Sequence, residues 1–139
     1  MPVLRRDAKV EWLSKVPLFA SCSKRELAAV AAFVREVELP KGHTLMREGG
    51  RAFSFFLLIE GTADVRRNNR RVATLKAGDF LGELALILRR PRTATVTLTS
   101  PARLLAVSAH DFHEFLARSP AVQLKLLETL AERAAPADI

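Results

Sequence analysis

The sequence has little cysteine, few aromatic residues and no long apolar run, and each shortage excludes a class of protein. One cysteine, Cys22, stands among 139 residues, so no internal disulfide framework can form and a reducing compartment suits the chain. The longest apolar stretch, residues 53–59, is broken by Ser54 and is strand-sized, far below the roughly 20 residues a membrane helix needs. The first ten residues carry Arg5, Arg6, Asp7 and Lys9 with no apolar segment behind them, so no secretory signal is expected. Low-complexity tracts and internal repeats are absent as well. The expectation is a soluble, cytoplasmic, single globular domain over residues 1–139, long enough to bury its own core without metals or disulfides.

Positive charge is plentiful but unevenly placed. Of the overall +7, the segment from Arg66 to Arg92 alone nets +6: Arg66, Arg67, Arg70, Arg71, Lys76, Arg89, Arg90 and Arg92 stand against only Asp79 and Glu83. Such asymmetry points to an anionic ligand or partner, with a solvated basic hairpin as the plain alternative for residues 66–71.

The apolar periodicity changes twice along the chain. Residues 5–16 read as a helix stopped before Pro17, and Ser23 with Glu26 has capping-box spacing for a second helix over residues 24–35. Short alternating runs then follow, separated by Pro40-Lys41-Gly42, Gly49-Gly50, Gly61, Asn68-Asn69, Gly78-Asp79 and Ser100-Pro101. Asn68-Asn69 suits a two-residue hairpin turn, since Asn tolerates positive φ. Helical spacing returns behind Ser108 and again behind Ser119-Pro120, where Val122, Leu126, Leu127, Leu130 and Ala134 form a stripe ended by Pro136. The fold class is α+β: N-terminal helices over about residues 5–35, a small sandwich or barrel over 36–107, and C-terminal helices over 109–135.

One segment breaks the strand rhythm. Gly82 opens a helix-like run over residues 83–88, and Pro91 ends it just before Arg92. The first N–H groups of so short a helix have no partner within it, and with the helix dipole they favour an anion. Gly82 permits close approach of a ligand to the backbone, and the planar guanidinium of Arg92 matches two phosphate oxygens. Glu83, an acceptor, suits a hydroxyl beside the phosphate. A phosphate and a sugar hydroxyl held side by side describe a nucleotide.

The runs Phe80-Leu81-Gly82-Glu83-Leu84-Ala85-Leu86 and Pro91-Arg92-Thr93-Ala94-Thr95-Val96 closely resemble the phosphate-binding cassette of cyclic nucleotide-binding domains. These are the sensor modules of catabolite activator proteins, of regulatory subunits of cyclic AMP-dependent kinase, and of cyclic nucleotide-gated channels. Pro17-Leu18-Phe19, Glu48-Gly49, Phe56-Leu57-Leu58-Ile59 with Gly61, and Ala77-Gly78-Asp79-Phe80 extend the resemblance over about residues 16–133. It implies a jelly-roll-like β-roll of about eight strands, with the cassette at 78–96 and a short cassette helix. It also implies roles. Glu83 accepts from the ribose 2′-hydroxyl, and Arg92 pairs with the cyclic phosphate beside N–H groups around Gly82, Leu84, Ala85 and Thr93. Val65, Val72 and Leu75 wall the base. Thr93 is permissive between cyclic AMP and cyclic GMP.

The expected function is therefore a non-enzymatic regulatory sensor of a 3′,5′-cyclic mononucleotide, cyclic AMP ahead of cyclic GMP, relaying occupancy through its C-terminal helix. Its expected partners are the ligand and an unidentified effector, with a weak homodimer, no membrane and no metal. The chain ends six residues after Arg133, so no helix-turn-helix is expected to follow. The alternative is a basic nucleic-acid binder; against it, none of the nine aromatics lies between Val65 and Leu75 to stack on bases. His110, Asp111, His113 and Glu114 read as an exposed helix face rather than a metal or catalytic site, and Cys22 reads as inert. No nucleophile–base pair or ATPase-type phosphate loop supports an enzyme.

Overall fold

The computed structural model describes residues 4–51, 53–82, 87–88 and 90–134, with the side chain of Arg133 outside this set. Helix α1 (Arg6–Ser14) leads through a 3-10 turn (Pro17–Phe19) into α2 (Lys24–Ala31). Eight strands follow: β1 (Arg35–Leu39), β2 (Thr44–Met46), β3 (Ser54–Glu60), β4 (Ala63–Arg67), β5 (Arg70–Leu75), β6 (Phe80–Leu81), β7 (Thr95–Leu98) and β8 (Ala102–Ser108). The chain closes with α3 (Ala109–Ala117) and α4 (Pro120–Ala134).

The strands form two antiparallel four-stranded sheets, ordered β1-β8-β3-β6 and β2-β7-β4-β5. The first sheet is covered on both faces, which explains why its central strands read as nearly continuous apolar runs. Phe55, Leu57 and Ile59 of β3 join Leu105 and Val107 of β8 in a core shared with Leu13, Phe19, Leu27, Phe112 and Leu126 of the helical layer. Leu58 and Leu104, one residue out of phase, enter a second core between the sheets with Met46, Ala63, Leu81, Val96 and Leu98. Period-two alternation thus sorts one strand into two cores. This is the small β-roll flanked by helices that the sequence implies.

The helix starts follow their sequence signals. Ser23 and Glu26 close the capping box, the Glu26 N–H donating to Ser23 Oγ at 3.1 Å and the Ser23 N–H to Glu26 Oε1 at 2.8 Å. Ser108 caps α3 by accepting from the Asp111 N–H at 3.0 Å. Asn68 and Asn69 take φ of 52° and 66°, the two left-handed residues of a tight hairpin turn.

Three expectations need correction. Helix α2 ends at Ala31 rather than 35, because Arg35 is already committed to the β1–β8 ladder opposite Ala106. Leu127 and Ala134 do not share the buried face of α4. Leu127 is 64% exposed, while Val122 and Leu126 are buried with Thr129. One residue along a helix turns the side chain by about 100°, which here carries Leu127 out of the core that Leu126 enters. The short pairing of Phe80–Leu81 with β3 was not among the expected strands.

Candidate functional site

The site is built at one end of the roll, where the loop before β3, the hairpin tip and the segment before β7 meet. Strand β6 delivers the chain to Gly82, fixed by the turn before it. There the Gly78 N–H donates to Leu58 O at 2.8 Å, the Leu58 N–H donates to Asp79 O at 2.9 Å, and the Lys76 N–H donates to Asp79 Oδ2 at 2.9 Å. Gly82 itself has φ +76°, in the left-handed region where a side chain is strained. A Cβ on Gly82 would collide with Arg92 Nη1 and stand 3.2 Å from Met46 Cε. The left-handed backbone favours glycine here, and a side chain would also displace the guanidinium packed against it.

Arg92 is held by backbone on both sides. Its N–H donates to Gly50 O and its carbonyl accepts from the Gly49 N–H, each at 2.8 Å, so a single bridged pair docks it to the Gly49-Gly50 turn. Its Nη2 donates to Ser54 O at the start of β3. The side chain is half-buried, and loss of hydration pushes its pKa below the ordinary guanidinium value. Among the described residues no carboxylate pairs with it. A partly desolvated cation bonded to a neutral carbonyl can receive an anion, which would supply a counter-charge.

The expected residues are placed as follows. Gly82 and Arg92 are brought into contact, and Thr93 is exposed next to Arg92. Val65 and Leu75 are partly buried beside the inter-sheet core. The β4–β5 ladder sets Ala73 opposite Val65 and Leu75 opposite Ala63, and shifts register between Val65 and Arg66. Val72 falls at that irregularity and is 51% exposed. Glu83, Leu84 and Ala85, with the rest of the expected cassette helix through residue 86, lie outside the described residues.

Sequence reasoning missed several residues that shape the site. Ser54 and Met46 touch or crowd Arg92 and Gly82, and neither carries a sequence signal of that role. In the sequence Glu48 stands out only as part of the Glu48-Gly49 motif; its carboxylate accepts from the Asn68 N–H at 3.0 Å, and its own N–H donates to Thr95 Oγ1 at 3.0 Å. Arg67 Nε donates to Thr93 O at 3.0 Å. These bonds tie the hairpin tip to the strand that follows Arg92.

A cavity of about 830 Å³ opens on the α3 side of Arg92, with Gly49, Gly50, Phe53, Ser54, His110 and His113 among its lining. It shares the backbone that anchors Arg92 but not Gly82, Thr93, Val65 or Leu75. His110 and Glu114 approach to 3.3 Å along α3, and among the described residues no group of three or more His, Cys, Asp or Glu could hold a metal ion.

Comparison with known proteins agrees with this geometry. The family model described as "Cyclic nucleotide-binding domain" matches residues 36–119, from β1 through α3. A cAMP-dependent protein kinase regulatory subunit of Mycosarcoma maydis is 36% identical over 77% of this chain and 22% of its own length. A cyclic nucleotide-gated potassium channel of Rhizobium etli is 32% identical over 94% of this chain and 37% of its own. The chain therefore spans well under half of these curated relatives. Among solved structures, the N-terminal domain of a transcriptional regulator from Streptomyces coelicolor superposes with a TM-score of 0.81 at 31% identity, covering 88% of this chain and 91% of that one. With an arginine and a glycine interlocked where its family model falls, the chain belongs to the cyclic nucleotide-binding domain family.

Proposed function

We propose that this domain is a sensor of a 3′,5′-cyclic mononucleotide, cyclic AMP ahead of cyclic GMP, which reports occupancy through α4 to an effector in the cytoplasm. The observation that carries the reading is Arg92: half-buried, anchored by backbone, packed against a glycine of left-handed backbone, and without a carboxylate partner among the described residues. In this reading Arg92 receives the cyclic phosphate, with N–H groups around Gly82, Leu84, Ala85 and Thr93, and Glu83 accepts from the ribose hydroxyl. Val65, Val72 and Leu75 meet the base. The preference for cyclic AMP draws support from relatives whose names include a cAMP-dependent kinase regulatory subunit.

The relay is supported by how α4 is attached. Val122 and Leu126 are buried in the helical core, Lys125 Nζ donates to Glu26 Oε1 at 2.5 Å, and Ser21 Oγ and Thr129 Oγ1 lie 3.3 Å apart. These contacts join α4 to α2 and to the segment just before it, so a ligand with different affinities for two α4 positions can shift the helix only by that difference. Calorimetric titration of cyclic AMP and cyclic GMP tests the reading. Arg92→Ala should weaken binding by about 2–4 kcal/mol, as expected for removal of a charge-assisted bidentate contact. Equal affinity in the variant removes Arg92 from the site, and tighter cyclic GMP binding reverses the selectivity.

A further inference from the structure

Four arginines stand at the tip of the β4–β5 hairpin, and the strand register sets Arg66 opposite Arg71 and Arg67 opposite Arg70. All four are exposed, and among the described residues none forms an ion pair with Asp or Glu. Like charges directly opposite on a ladder destabilise it. The pairing therefore works against the fold, and its benefit lies elsewhere.

The tip is fastened to the segment that carries Arg92. Arg67 Nε bonds Thr93 O, and Glu48 bridges the Asn68 N–H to the neighbourhood of Thr95. Cationic charge is thus held one residue away from the phosphate-site arginine. Arg92 lies partly withdrawn into the protein, so it acts mainly at contact. The exposed arginines project into solvent, where a charge is felt over about 8 Å at physiological salt. Asp64, opposite Thr74, is the one acid in the hairpin's own sequence, and among the described residues Glu48 accepts from the turn at Asn68. No aromatic side chain lies on the hairpin to stack on bases, which disfavours a nucleic-acid polymer as the occupant.

We propose that the arginine tip of β4–β5 is an electrostatic capture surface, which speeds the arrival of a small phosphate monoanion at Arg92 without holding it once bound. The inference rests on the reading of Arg92 and Gly82 as the cyclic phosphate site. It assigns the tip to association and leaves dissociation to the Arg92 pocket.

Stopped-flow binding of a fluorescent cyclic AMP analogue to the full chain tests it, with Arg70→Gln/Arg71→Gln as the variant, because these two leave the Arg67–Thr93 bond intact. The association rate should fall about three- to tenfold at low ionic strength and converge with the parent at high salt, while the dissociation rate stays put. Arg70→Lys/Arg71→Lys should restore the rate, since steering needs charge and not a guanidinium fork. An unchanged association rate, a change confined to dissociation, or failure of the lysine rescue overturns the capture role. So does a generic DNA duplex that displaces the analogue from the parent but not from the glutamine variant at physiological salt, because the tip then belongs to a polymer. Binding with unaltered rates sinks only the capture surface, whereas absence of any binding by the parent sinks the nucleotide reading along with it.

Discussion

The two cores of this molecule are made of similar side chains but differ in what closes them. The helix-backed core is sealed by Leu13, Val16, Leu18, Phe55, Leu57 and Phe112, all fully buried, and its border charges are paired: Lys125 with Glu26, and Arg103 with Glu36. The core between the sheets ends at Gly82, Met46 and a half-buried Arg92 that no described carboxylate neutralises. One region is finished for stability, and the other holds a cation that is unpaired among the described residues. That difference favours the proposed ligand site at the Arg92 end, and substitutions can break it from either side.

The largest expected effect falls in the finished core. Phe112 is 0% exposed and meets Phe19 edge-on with ring centroids 5.8 Å apart. Phe112→Ala should cost about 3–5 kcal/mol in urea unfolding through lost transfer energy and a cavity. Nucleotide affinity of the folded fraction should hold. A variant that keeps its stability but loses binding would erase the division between the cores.

Next comes Gly82→Ala, at the edge of the unfinished core. A left-handed backbone with a Cβ, plus displacement of the Arg92 guanidinium, should cost about 1–3 kcal/mol of stability. Here affinity should fall as well, because the same atom that strains the backbone displaces the guanidinium proposed to receive the phosphate. Parallel urea unfolding and calorimetry check both losses. Stability lost with affinity intact would separate Gly82 from Arg92.

Acid should act first on the helix-backed border. The Lys125 hydrogen bond holds the Glu26 carboxyl below its ordinary pKa, and the Leu4 N–H, donating at 2.8 Å, does the same for Glu36 with help from Arg103. A carboxylate with a depressed folded pKa stabilises the protein above its unfolded pKa, and that contribution is lost as pH falls through the folded value. Stability should therefore decline between about pH 5 and pH 2, more steeply in the parent than in Glu26→Gln/Glu36→Gln. Equal slopes in denaturant melts across that window would show that these pairs do not set the acid limit.

Much of this was legible in the chain. The capping box at Ser23 and Glu26 and the Asn68-Asn69 turn follow local rules that a sequence states directly. What stayed hidden depends on tertiary pairing. Helix α2 stops early because β8 recruits Arg35 into a ladder, and the irregularity at Val72 comes from strand register rather than residue type. Ser54 reaches Arg92 through its carbonyl, a group every residue has, so its side chain announces nothing. Glu48 was readable as a motif but not as a brace, since its partner Asn68 lies 20 residues away.

The smallest expected effect is also the one with reversed sign. At the hairpin tip Arg71 faces Arg66 across the ladder, both exposed and neither ion-paired among the described residues. Arg71→Thr removes a like-charge cross-strand pair and introduces a β-branched residue suited to a strand, so stability should rise by about 0.2–1 kcal/mol. The gain should shrink as salt screens the repulsion, which distinguishes charge relief from strand propensity. Thermal denaturation at two ionic strengths reads both parts. Destabilisation would mean that the arginine pair is ordered by contacts of its own and belongs with the finished half of the molecule. Stabilisation means that the site end carries a cost which the helical end does not, as expected where charge is arranged for a ligand rather than for the fold.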